Sequence, residues 1–325
     1  VLQVKKRSTS ETGAAAGAPG RLLLGSHLSV AGGMTNALDE AERLGMDCVQ
    51  VFTKNQQQWK ARPLDEGDVR AWRSRVAELG WDSARTVSHA SYLINLASPD
   101  DELWAKSVDL MTIEIERCEA LGIAFLVHHP GAFTTSTRES GLSRIVDAYA
   151  ELFRRTRGFG TVSCLENTVG SGSNLGGRFE EIAALRASII ERTGEERRVG
   201  FCIDTCHAHA AGYDLSRAES AAAAIDQLDA ACGLANVRVL HVNDSKAPCG
   251  SRRDRHEHIG KGTIGAAGFA AVVNHAGLRD RPMIMETPKG DTPGGTPLDS
   301  LNLRKLRQLA GLRSGGRTRG GVRAS

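Results

Sequence analysis

Residues 199–209 read VGFCIDTCHAH. An apolar run from Val199 to Ile203 ends in a carboxylate at Asp204, and an imidazole follows three positions on at His207. Successive side chains of a strand point to opposite faces, so Asp204 and His207 converge only if the strand stops at Asp204 and the chain turns. The bland reading is a core strand followed by a helix-capping Asp and an ordinary loop His. The rest of the chain must choose between the two.

On either side of this stretch, the pattern of apolar run, turn and amphipathic segment repeats. Strands are predicted at 22–28, 48–52, 86–89, 125–129, 162–166, 199–204, 237–242 and 282–286, apolar on both parities as a sheet covered on both faces requires. Between them lie helical spacings: Met34, Ala37, Leu38, Ala41 and Leu44 before Gly45; 69–79; Trp104, Val108, Met111, Ile115 and Cys118 before Gly122; 142–153; 179–190; a segment within 218–232; 267–276; and 298–309. Eight strand and helix pairs in alternation, with no dinucleotide-binding glycine fingerprint, predict an α/β fold of the (β/α)8 TIM-barrel type, with a doubly wound open sheet as the alternative.

The ends differ in character. Residues 1–20 are rich in Lys, Ser, Thr, Ala and Gly, with no large apolar residue after Val4, and are expected to be disordered. The barrel domain is assigned to 21–310 and a basic Gly- and Arg-rich tail to 311–325, weakly suited to phosphate contacts.

A chain of 325 residues with 41% hydrophobic and 24% charged residues is a soluble globular protein with a sizeable core. Its formal charge is +3, but the seven basic residues from Arg304 to Arg323, unaccompanied by any acid, leave a net −4 on residues 1–303. An acidic body is a poor phosphate binder unless bound cations reverse the local sign. The seven cysteines are odd in number and scattered, which reads as reduced, buried thiols, and Cys202 with Cys206 does not have the spacing of a zinc ribbon. No apolar run is long enough to cross a bilayer and no signal-peptide order opens the chain, so a cytoplasmic protein is expected.

In a parallel barrel the strand C-termini share one face, where catalytic groups collect. Strands three to eight end in His89, His129, Glu166, Asp204 with His207, His241 and Glu286, and the loop after strand seven adds Asp254 and His256. A lone His or Asp is an ordinary loop residue or cap; six consecutive strand ends are not. Four carboxylates gathered without metal would repel, which divalent cations relieve. Imidazole with carboxylate and no clustered thiolate favours zinc, with manganese or iron as substitutes.

The motifs SHASYLINL (88–96), HHPGA (128–132), LENT (165–168), CIDTCHA (202–208), HVND (241–244), GSRRDRHEHIGKGTIG (250–265) and METP (285–288) resemble, in order, those of the endonuclease IV family, the zinc-dependent apurinic/apyrimidinic endonucleases of base excision repair. The resemblance runs from Leu22 to about Leu309. It implies three zinc ions: one on His89, His129 and Glu166; one on Glu166, Asp204, His241 and Glu286, with Glu166 bridging; and one on His207, Asp254 and His256. It also implies hydrolysis of the phosphodiester 5′ to an abasic site in duplex DNA, leaving 3′-hydroxyl and 5′-deoxyribose phosphate ends, and clean-up of blocked 3′ ends. Glu286 would orient the attacking hydroxide, Glu166 would bridge, and His207 would serve the ion that stabilises charge at phosphate.

DNA contacts are expected from Asn55, Gln56 and Gln57 of the loop KNQQQW (54–59), from Tyr92 and Leu93 as wedges beside the site, and from Arg252. An abasic nucleotide has lost stacking and pairing, so extruding it costs less than flipping an intact one. Two departures stand out: Gln57, where some members carry Arg, and Phe133, where members often carry His. His27, His128, His209, His258 and His275 fall outside the implied ligand set. The expected partner is abasic duplex DNA, with no membrane or obligate protein partner, and the chain is read as a monomer. The competing readings are a divalent-metal sugar isomerase or epimerase on the same barrel, and a non-catalytic binder of abasic DNA.

Overall fold

The computed structural model describes residues 20–312, so the expected tails at 1–20 and 311–325 lie outside the described residues apart from Gly20, Gly311 and Leu312. Eight strands form a closed barrel: β1 (Leu23–His27), β2 (Cys48–Val51), β3 (Thr86–His89), β4 (Phe125–His128), β5 (Val162–Glu166), β6 (Val199–Asp204), β7 (Val237–His241) and β8 (Pro282–Met285). Every barrel pairing is parallel and joins sequence neighbours, and Leu23 to Ser26 of β1 closes the ring against Pro282 to Met285 of β8. The open-sheet alternative is thereby excluded.

The helices that cover the barrel are α1 (Asn36–Leu44), α2 (Glu66–Glu78), α3 (Asp101–Leu121), α4 (Arg138–Arg155), α5 (Phe179–Thr193), α6 (Thr205–Ala211), α7 (Ala218–Cys232), α8 (Gly265–Asn274) and α9 (Leu298–Leu309). Caps explain several starts that lie earlier than apolar spacing indicates. Asp65, Asp100 and Thr137 accept N–H bonds in the first turns of α2, α3 and α4, which frees those helices to begin on polar residues. Two elements have no counterpart in the periodic pattern: the short α6 and an antiparallel pair, Asp244–Ser245 with His256–Glu257. Both are too short to carry a periodic signal.

One residue from each strand, Leu23, Cys48, Val87, Val127, Cys164, Cys202, Val239 and Ile284, fills the barrel as an apolar plug. A larger shell packs the outer strand faces against the helices, with Trp72, Met111, Tyr149, Phe201 and Phe269 fully buried in it. Six cysteines are buried, three of them in the plug, whereas Cys249 is exposed, contrary to the uniform burial expected of the thiols. Among the described residues no helix is long and apolar enough to cross a membrane.

Candidate metal centre

Alternate residues of a strand face the same side, so the position two beyond each plug residue also points into the barrel, about 6.6 Å higher. Those positions are Gly25, Gln50, His89, His129, Glu166, Asp204, His241 and Glu286. Six of the nine residues expected as ligands therefore form one ring on top of the plug. The other three come from above it: His207 from α6, and Asp254 and His256 from the loop after β7. All nine face one region.

Their spacing is that of donors around small cations. Glu166 Oε2 lies 3.2 Å from His89 Nε2 and 3.3 Å from His129 Nε2. His241 Nδ1 lies 3.0 Å from Glu166 Oε1, 3.2 Å from Glu286 Oε2 and 3.9 Å from Asp204 Oδ2. Asp254 stands 3.2 Å from His207 Nε2 and 3.3 Å from His256 Nε2, and the latter is 3.7 Å from Asp204 Oδ2. Tetrahedral ligands held at about 2.0–2.2 Å from an ion are roughly 3.3–3.6 Å apart. His256 Nε2 is buried beside these carboxylates and makes no hydrogen bond, as a donor meant for a cation would be. The residues present fit divalent metal.

Each of four imidazoles is held by its other nitrogen, which fixes which one faces the centre. His89 Nδ1 lies 2.8 Å from the Ala90 carbonyl, His207 Nδ1 2.9 Å from that of Asn167, and His256 Nδ1 3.1 Å from that of Glu286. A carbonyl only accepts, so Nδ1 donates and Nε2 is turned inward. His241 is reversed: its Nε2 donates to Gln50 Oε1 at 2.8 Å and its Nδ1 faces Glu166.

Asp204 carries out both readings of the opening stretch. Its Oδ1 caps α6 by accepting the His207 N–H at 2.8 Å, and its Oδ2 turns to the centre, held by Asn243 Nδ2 at 2.6 Å. Because the cap turns the chain at Asp204, His207 stands over the same cavity.

Gln50, Asn167 and Asn243 are site residues that the strand-end pattern missed. Gln50 Nε2 donates to Glu286 Oε1 at 2.7 Å and lies 3.0 Å from His27 Nδ1. It reaches Glu286 across β1 because the intervening ring position is Gly25, where a Cβ would sit 2.0 Å from the Cys48 carbonyl oxygen. Counting two positions from the plug would have found it. Asn243 Oδ1 accepts the Glu286 N–H at 2.6 Å, and Asn167 Oδ1 accepts that of Asp204 at 2.7 Å.

Within the centre the opposite charges stabilise one another. Burial opposes the charged form of His241, but Glu286 and Glu166 overcome it and raise the group to about 9. His207 is likewise raised, against burial, chiefly by Asp204 and Asp254. Glu166 and Glu286 are held well below the usual carboxylate range, against burial, with His241 the largest opposing influence. Cys202 and Cys206 approach the centre from below and behind, but burial pushes Cys206 up to about 12 and Cys202 well above its ordinary value, so both stay protonated.

The centre opens into two clefts divided by Tyr92. One, about 520 Å³, is bounded by His129, His207, Asn174, Arg252, Arg253 and Arg255. The other, about 810 Å³, is bounded by Lys54, Asn55, Gln56, His256, Glu286 and Lys289. Tyr92 is 60% exposed, and its ring centroid is 5.1 Å from that of His89. Asn55, Gln56, Tyr92 and Arg252 therefore border the clefts. Gln57 is exposed and Leu93 half-buried, and neither borders them. Phe133 packs against the helix-side core, away from the nine donors.

A closed barrel crowned by imidazoles and carboxylates defines the class: the chain matches the xylose isomerase-like TIM barrel family over residues 38–307. It is 42% identical to the probable endonuclease 4 of Chloroflexus aurantiacus over 88% of this chain and 97% of that one. The solved structure of endonuclease IV from Thermus thermophilus superposes with a TM-score of 0.75 at 37% identity, covering 88% of this chain and 98% of that one. Within the barrel class, the chain belongs to the endonuclease IV family. A D-tagatose 3-epimerase-like protein superposes with a TM-score of 0.65 at 17% identity, covering 88% of this chain and 96% of that one, a likeness of fold alone.

Proposed function

We propose that this protein is a deoxyribonuclease IV type enzyme that hydrolyses the phosphodiester 5′ to an abasic site in duplex DNA, leaving 3′-hydroxyl and 5′-deoxyribose phosphate ends, and that it also clears blocked 3′ ends. The observation that carries this reading is the nine-donor centre opening into a cleft edged by three arginines, in a chain of the endonuclease IV family. It acts as a cytoplasmic monomer.

Three zinc ions would be held, by His89, His129 and Glu166; by Glu166, Asp204, His241 and Glu286; and by His207, Asp254 and His256. Bound there, they would supply Lewis-acid charge for the phosphodiester and lower the pKa of water toward neutrality. Glu166 uses its two oxygens on different neighbours, Oε2 toward His89 and His129 and Oε1 toward His241, as a bridge must. Glu286, fixed by Gln50 and Asn243, would orient the attacking hydroxide. His207 and Asp254, beside the arginine-edged cleft, would with His256 hold the ion that stabilises charge developing on the phosphate. Tyr92 and Leu93 wedge the duplex, Asn55, Gln56 and Gln57 hydrogen-bond in its groove, and Arg252 holds backbone.

A duplex carrying a tetrahydrofuran abasic analogue tests this, since the analogue cannot undergo β-elimination. A nick 5′ to the lesion, lost on chelation and restored by zinc, is expected, with Glu286→Gln binding the duplex without nicking it. Tight binding without any nick by the zinc-loaded wild type would instead establish a lesion binder, and neither binding nor nicking would overturn the reading.

A further inference from the structure

Behind the centre lies a second mixed cluster that the proposed chemistry does not use. Two positions along a helix differ by about 200°, so when His207 faces the ring, His209 of α6 faces away. His209 is only 1% exposed. Its Nδ1 accepts the Leu215 N–H at 3.2 Å and lies 3.9 Å from Asp214 Oδ1, while its Nε2 is buried with no hydrogen-bond partner. Cys249, the one exposed thiol of the seven, completes the group. A ring nitrogen of His209, a carboxylate oxygen of Asp214 and the Cys249 sulfur all lie within 4.8 Å of one another.

The loop that carries Cys249 is already docked there. The Gly250 N–H donates to the His209 carbonyl at 3.0 Å and the Arg252 N–H to that of Ala210 at 2.8 Å. The backbone is thus fixed; closing on an ion needs the half-exposed Asp214 and exposed Cys249 side chains to swing inward and His209 Nδ1, the nitrogen nearest Asp214, to exchange its 3.2 Å Leu215 N–H bond for the ion.

We propose that His209, Asp214 and Cys249 form a further divalent-metal site, separate from the ring, that staples the 246–256 loop to α6. One imidazole, one carboxylate and one thiolate, with water in the fourth position, suit zinc or cobalt. The staple grips that loop three residues before Arg252 and five before Asp254, and grips α6 two residues after His207. It therefore fixes the span between two elements that bring groups to the centre.

Cobalt distinguishes this site from the ring, because only a thiolate ligand gives an intense near-ultraviolet sulfur-to-cobalt charge-transfer band. Titrating cobalt into the metal-stripped full chain is expected to develop that band. Cys249→Ser, at a surface position that does not threaten folding, should abolish it and lower bound cobalt by one ion per chain, and Asp214→Asn should weaken that ion's binding. Cys206→Ala, which removes a thiol at the ring instead, should leave the band in place. Absence of the band in the wild type, its survival in Cys249→Ser, or its loss in Cys206→Ala would overturn the proposal. None of these readouts depends on DNA cleavage, so the endonuclease reading stands or falls separately.

Discussion

Among single residues, the centre depends on groups that do not resemble ligands. Gln50 holds Nε2 of His241, which leaves that ring's Nδ1 as the one turned inward, and braces Glu286 with its amide. In Gln50→Leu the buried His241 Nε2 would lose its partner, at about 1–3 kcal/mol, while Glu286 Oε1 would keep only His27 Nδ1 at 3.3 Å. Zinc affinity, measured by chelator competition on the stripped protein, is expected to fall about 10–100-fold, and an unchanged affinity would mean that Gln50 merely fills space. The nine charged or ionisable donors were legible in the sequence because His, Asp and Glu stand out at strand ends. Gln50 was not, because a glutamine inside an apolar strand has no signal until the plug gives the register. Asn167 and Asn243 stood within the quoted motifs, yet their roles depend on backbone atoms that no side-chain pattern reveals.

Among the elements, the strands and long helices were legible from periodicity, while the short pieces that complete the rim were not. The start of α6 is decided by the Asp204 cap, and the pair Asp244–Ser245 with His256–Glu257 is decided by tertiary closure of the loop. That closure places Arg252 in a left-handed conformation, φ 54°, uncommon for a side-chain-bearing residue and a mark of a segment held in place by its surroundings. Arg252 borders the cleft beside His207 and Asp254. If it contacts a phosphate, Arg252→Ala should reduce the slope of log binding constant against log salt by about one for abasic duplex. An unchanged slope would assign its conformation to loop closure alone. The loop after β2 is strapped from α3: Arg117 Nη1 donates to the Arg62 carbonyl at 2.8 Å and its Nη2 to that of Thr53, while Glu114 accepts from Thr53 Oγ1 at 3.0 Å and from the Ser91 N–H at 3.3 Å. One helix thereby sets the positions of both segments expected to touch DNA from that side.

For the molecule as a whole, the charges of the centre link stability to pH. Without metal, His241 is raised from 6.5 to about 9, so its contribution to stability is full below 6.5 and fades as pH rises through 9. Glu166 and Glu286 are depressed from 4.5, so theirs is present above 4.5 and is lost as pH falls through their folded values. The stripped protein should therefore be most stable between pH 4.5 and 6.5. A metal must displace the imidazole protons, so its stabilising effect should grow with pH. Melting scans of stripped and zinc-loaded protein should show the gap in Tm widening from pH 6.5 to 9, and a constant gap would place the metal elsewhere. Plug and ring together also make the centre a parity code. One residue inserted in a strand between its plug and ring positions would turn that donor out among the helices, and two would lift it by one strand repeat, about 6.6 Å. Chain length can therefore drift in the connections between the units, whereas within the upper half of each strand it is as constrained as the identity of the donors.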